Sequence, residues 1–149
     1  MEFDKEYSKF FEEFGKSKKM VLSTCFENKV TSRMMSIVMF DKKFYFQTDK
    51  NFRKYKQISK NHNVSLCIDN IQIDGICEEL GHPLKNSEFC SLYKENFISS
   101  YQKYSSLECE VLFRVNPLFI ERWRYIHNNQ YIEIFDIKNK KYILEEYKL

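Results

Sequence analysis

Glycine and proline are nearly missing from this chain, with three Gly and two Pro in 149 residues. That scarcity leaves no low-complexity linker, and the chain reads as one domain, 1–149, long enough for a single core. Neither G-x-G-x-x-G nor G-x-x-x-x-G-K-[ST] occurs, so dinucleotide folds and P-loops lose their main signal. No apolar run approaches the roughly 20 residues that span a bilayer. The opening MEFDKEYSKF is charged and amphipathic, unlike a secretory signal, so a cytoplasmic protein without a membrane partner is expected. A charge of one sign is also lacking. The formal net charge is only +3, which speaks against a nucleic-acid partner. The five cysteines, Cys25, Cys67, Cys77, Cys90 and Cys109, include no C-x-x-C pair. They read as small apolar side chains in a reducing compartment, with no metal site and no disulfide framework. His62, His82 and His127 stand apart in turn-like contexts, and no Ser, His and Asp constellation suggests a hydrolase.

Aromatic residues are abundant at 17% of the chain. Phe3, Tyr7, Phe10, Phe11 and Phe14 recur at helical spacing and predict an amphipathic helix over about 2–15. Met20 to Phe26, Val30 to Phe40 and Phe44 to Thr48 read as a meander of three antiparallel strands with short turns. Thr48 or Asp49 is expected to cap a following helix whose Phe52, Tyr55 and Ile58 face inward. Val64 to Ile68 and Ile71 to Leu80 continue the sheet, with Gly75 marking a bulge or a close approach. A third helix carries Phe89, Leu92, Tyr93 and Phe97, capped by Asn86 or Ser87. Glu108 to Val115 is a strand, punctuated by Asn116-Pro117. Leu118 to Ile126 and Tyr131 to Ile137 then form a closing hairpin. The expected architecture is mainly β, a barrel of about seven strands with three helices added.

Two features carry chemistry. Arg33 lies in step with Thr31, Met35, Ile37 and Met39 on a mostly apolar strand face, where an unpaired guanidinium is costly. Lys50, Arg53 and Lys54 surround the start of the helix that follows the third strand. A helix N-terminus already favours anions, so cations gathered there point to a phosphate.

The order of these elements, with SRMM, then FQTDKNFRKYKQISKNHNV, then NPLFIERW, resembles the pyridoxamine 5′-phosphate oxidase-like family of FMN-binding split β-barrels. The similarity runs from about Met20 to about Tyr125. It implies an FMN-dependent oxidoreductase that transfers hydride or electrons between a reduced donor and a small-molecule acceptor. By resemblance, Arg33, Met34, Met35 and Ser36 line the flavin, and Gln47 and Thr48 stand beside its ring. Arg53 and Lys54 hold the phosphate, assisted by Lys50. Gln72 approaches from a neighbouring strand, and Trp123 packs near the cofactor across a homodimer interface. No side chain is expected to act as a catalytic nucleophile, because the flavin supplies the reactivity. The chain departs from the oxidases in two places. Phe52 stands where they have serine. RYIHNNQYIEIF also lacks the basic motif that holds their pyridoxal phosphate substrate. A flavin-binding module without turnover, and a barrel that binds heme or F420 in the same cleft, are the alternatives.

Overall fold

The computed structural model describes residues 2–149 and shows eight strands and four α-helices. Helix α1 (Glu2–Phe14) buries Phe3, Tyr7, Phe10, Phe11 and Phe14, the stripe expected from their spacing. Strands β1 (Ser17–Phe26), β2 (Lys29–Phe40) and β3 (Lys43–Asp49) form the predicted meander. The turns Glu27-Asn28 and Asp41-Lys42 hold both residues at positive φ, the handedness that suits two-residue hairpins. After α2 (Arg53–Lys60) come β4 (Asn63–Ile68) and β5 (Ile71–Glu79). Helices α3 (Ser87–Asn96) and α4 (Ile98–Tyr104) precede β6 (Glu110–Ile126), β7 (Asn129–Asp136) and β8 (Lys141–Glu146).

The sheet order is β3-β2-β1-β4-β5-β6-β7-β8, and β3 also pairs with β6. Six antiparallel strands therefore close into a barrel, and β7 and β8 extend from it. The interior is filled by Met20, Leu22, Ile37, Phe44, Phe46, Leu66, Ile73, Val111 and Val115, each fully buried. Residues of the opposite parity on the same wall, Val38, Tyr45 and Leu112, pack outside the barrel with Phe89 and Tyr93 of α3. That parity decides which side chains face the barrel and which face the helices.

Several expectations are corrected. The two strands predicted around Asn116-Pro117 are one strand of 17 residues. On one edge, β6 pairs with β3 over Glu110 to Val115 and then with β7 from Phe119 onward. Pro117 falls at this handover, where the ladder to β5 also slips at Asp74/Gly75. A strand tolerates a missing N–H at such a break. The expected close approach at Gly75 is present, since a Cβ there would lie 2.6 Å from Val115 Cγ1 and 2.8 Å from the Asn116 carbonyl oxygen. Sequence periodicity missed α4 and β8, both short and rich in polar residues. Asn86 caps α3 as expected, accepting from the Phe89 N–H at 2.9 Å. Thr48 and Asp49 do not cap α2. The helix begins later, after Phe52, and has no side-chain cap. Phe52 is 53% exposed, so only Tyr55 and Ile58 of the predicted stripe turn inward.

Candidate functional site

The site arises where two neighbouring strands part. β2 and β3 share three cross-strand pairs, Val38↔Tyr45, Met39↔Phe44 and Phe40↔Lys43. Beyond them β2 remains bound to β1 as far as Lys29, and β3 remains bound to β6 as far as Asp49. Met34, Met35 and Ser36 on one side, and Gln47, Thr48 and Asp49 on the other, line the wedge between the two strands. The chain leaves β3 through a tight turn in which the Asp49 carboxylate accepts from the Asn51 N–H at 2.7 Å. α2 then starts beside the wedge. Because α2 lacks a side-chain cap, its first amides remain open to an external acceptor.

Arg33 lies on the inward-facing parity of β2 and turns towards α2. Its Nη1 donates to the Leu22 carbonyl at 3.2 Å, to Thr24 Oγ1 at 3.0 Å and to the Thr31 carbonyl at 3.3 Å. Nη2 donates to Gln57 Oε1 at 2.9 Å, and Gln57 itself donates to Thr31 Oγ1 at 2.8 Å. Every one of these acceptors is neutral. Among the described residues no carboxylate forms an ion pair with Arg33, Arg53 or Lys54. Burial and the charge of Arg53 press the Arg33 guanidinium downward in pKa. Burial and Arg33 do the same to Lys54. Arg33 is repelled by Arg53 and by Lys54, and none of the three is ion-paired among the described residues, although Glu110 pulls on Lys54; the excess of positive charge suits an anion.

The cavity beside them measures about 450 Å³, within the range of small-molecule and cofactor sites. Besides the strand residues, Phe52 and Lys54 line it from the start of α2. Its far wall is Tyr93 of α3, Ser100 and Tyr104 of α4, and Leu107 and Glu110 beyond them. Lys54 Nζ lies 5.1 Å from the centre of the exposed Phe52 ring. Gln47 accepts from Ser105 Oγ at 2.8 Å, which ties the end of α4 to β3. The Thr48 hydroxyl is buried without a hydrogen-bond partner, an unusual state for such a group. Burial and the neighbouring Asp49 push the Glu110 carboxyl up to about 7, against the opposing pull of Lys54.

Six of the residues anticipated from sequence thus share one cavity: Met34, Met35, Ser36, Gln47, Thr48 and Lys54. Arg33 and Arg53 do not line it, but Arg33 couples to Lys54 in its wall and to Arg53, which joins both arginines to its cationic border. Lys50 is exposed, and its backbone N–H donates to the Cys109 carbonyl at 2.9 Å. Gln72 is exposed on β5 opposite Cys67 and Glu121, outside this cavity. Trp123 also lies outside it, edge-on to Tyr147 with ring centres 5.6 Å apart. Sequence reasoning did not single out Thr24 and Gln57, which hold Arg33, nor the far wall from Tyr93 to Glu110. Gln57 had one available signal: it follows Arg53 by one helical turn, next to the buried Ile58. Glu110 had another, being the acid that opens the strand in phase with the buried Leu112.

Residues 3–126 match the sequence model of the family described as pyridoxamine 5′-phosphate oxidase. No curated protein sequence matches the chain. Among solved structures, general stress protein 26 from Bacillus anthracis strain Sterne is 21% identical with a TM-score of 0.59, covering 80% of this chain and 92% of its own. A pyridoxamine 5′-phosphate oxidase-related, FMN-binding protein from Nostoc punctiforme PCC 73102 has a TM-score of 0.63 at 12% identity, with 88% of each chain covered. The heme storage protein of Vibrio cholerae aligns with a TM-score of 0.59 at 17% identity, over 77% of this chain and 89% of its own. At these identities the likenesses establish the split-barrel fold.

Proposed function

This chain belongs to the pyridoxamine 5′-phosphate oxidase family, and from that premise we propose that it is an FMN-dependent oxidoreductase acting on small molecules as a homodimer. The observation that carries the reading is the cluster of Arg33, Arg53 and Lys54, none of which is ion-paired to a carboxylate of the described residues, beside a cavity whose lining includes Thr48 with its hydroxyl unpaired. Bound FMN would supply the hydride and electron transfer, and the protein would bind, orient and tune it.

In this reading Lys54 and Arg53 take the phosphate through charge-assisted hydrogen bonds, with Lys50 adding field from the same loop. Arg33, fixed by Thr24 and Gln57, contributes charge from the barrel side. Backbone groups of Met34, Met35 and Ser36 face the flavin along the edge of β2 that β3 has left. Gln47 and Thr48 offer side-chain groups from the opposite edge. Gln72 would approach the flavin from its strand, and Trp123 would pack near the cofactor across the homodimer interface. The five free cysteines suit a cytoplasmic setting. No helix of the described residues is long and apolar enough to cross a membrane.

Among the described residues no histidine lines the cavity. His82 is occupied, with Nε2 2.8 Å from the Leu107 carbonyl and Nδ1 accepting from the Leu84 N–H. That donor set favours a flavin over a histidine-ligated heme. The test is the absorption spectrum of the protein as purified, followed by titration with FMN and then with NADH or NADPH. Yellow protein, saturable FMN uptake and bleaching by a reduced nicotinamide are expected. Colourless protein that takes up no FMN removes the assignment, and a bound flavin indifferent to every donor leaves a binding module without turnover.

A further inference from the structure

Glu110 places a carboxyl group in the cavity wall. It opens β6 on the parity that faces the helices and is 5% exposed. Among the described residues its carboxylate forms no ion pair, and no protein donor hydrogen-bonds to it. Its cross-strand partner is Asp49, and like charges directly opposite on a ladder repel. Asp49 is already engaged by the Asn51 N–H, so Glu110 is the acid left free to exchange its proton. The other groups that face it are Lys54 from α2, Tyr93 from α3 and Tyr104 from α4, of which only Lys54 is cationic. Lys54 couples to Arg33 and to Glu110, which puts this acid at the cationic end of the cavity. The Thr48 hydroxyl, 4% exposed and without a partner, lies in the same wall.

We propose that Glu110 is a ligand-contacting acid: when neutral it donates a hydrogen bond to a phosphate oxygen of the bound ligand, and when ionised it repels that phosphate. The inference rests on the FMN reading above and adds a pH dependence to it. A protonated carboxyl has one O–H to donate, whereas an ionised one only accepts. With the group held up at about 7 by burial and Asp49, both forms are populated near neutrality. Bound phosphate adds negative charge and favours the protonated form further. Affinity is therefore full while Glu110 carries its proton and declines as pH rises above neutral. The second ionisation of the phosphate, near pH 6, acts in the opposite direction at lower pH.

The test is FMN affinity, read by quenching of flavin fluorescence between pH 6 and 9, for the wild-type protein and for Glu110→Gln. Glutamine keeps a donor and cannot ionise. Wild-type affinity should fall roughly tenfold between pH 7 and 8.5, the consequence of one linked proton. Glu110→Gln should show no such fall and should bind more tightly than wild type at pH 8.5. Glu110→Ala, which has neither donor nor charge, should bind more weakly than wild type at pH 6 but not at pH 8.5. Parallel pH profiles for all three proteins, with FMN bound, overturn the role of Glu110 and leave the flavin assignment standing. Failure of the wild type to bind FMN at any pH overturns both.

Discussion

Arg33 and Arg122 both turn into the protein, yet their surroundings differ in charge. Arg122 donates from Nε to Glu133 at 2.6 Å and from Nη1 to Glu13 at 3.0 Å, with its guanidinium 5.0 Å from the Phe10 ring centre. Glu133 also accepts from Arg124 at 3.1 Å and from the Tyr142 hydroxyl at 2.7 Å. Two guanidiniums meet two carboxylates there, and the network closes on itself. Arg33 makes four hydrogen bonds as well, but all go to neutral oxygens, and its nearest charged neighbours repel it. Arg122 is buried and Arg33 half-buried. The balance of charge separates one that is neutralised within the fold from one that is not.

The largest expected effect breaks the closed network. Glu133→Gln leaves Arg122 buried without its main carboxylate and should cost about 3–5 kcal/mol of stability, measured as a lower denaturation midpoint, while FMN affinity of the folded protein holds. Burial alone would raise the Glu133 carboxyl, but the hydrogen bonds from Arg122 and Tyr142 outweigh it and hold it below the usual range. Its folded value is thus below its unfolded one. The stability it confers is present above the unfolded value and drains away as pH falls through the folded value. Glu133→Gln should flatten that acid limb.

The intermediate effect falls on the open cluster. Arg33→Ala should weaken FMN binding about 30-fold, or about 2 kcal/mol, and should change unfolding stability far less than Glu133→Gln does. A collapse of stability with FMN affinity intact would make Arg33 a second Arg122 and erase the distinction. The smallest effect belongs to Lys50→Ala. That side chain is exposed, and its loss should change FMN affinity by no more than about threefold, an effect that disappears at high salt.

The sequence made the first three strands, the aromatic stripe of α1, the Asn86 cap and the close approach at Gly75 legible because each depends on local spacing or on one special residue. It also brought together most of the near wall, from Met34 to Ser36 with Gln47, Thr48 and Lys54, through ordered motifs that resemble a known family. The far wall was not legible. Tyr93, Ser100, Tyr104 and Glu110 reach the cavity only because α3 and α4 fold back over the outer surface of β2, β3 and β6. That packing leaves no local period to read. The partners of Arg33 were hidden for a related reason. Thr24 on β1 and Gln57 on α2 are 33 residues apart and meet only because α2 packs against β1. Pro117 misled in the opposite sense, because a break in the ladder absorbed a residue that usually ends a strand.

The parting of β2 from β3 has a consequence for descent. A recess opened by the place at which main-chain pairing stops does not depend on any particular side chain for its existence. Substitutions along its two lips would alter which guest is preferred without sealing the recess itself. A lineage built on such an opening is free to exchange one prosthetic group or reactant for another while its sequence drifts far and its scaffold stays recognisable.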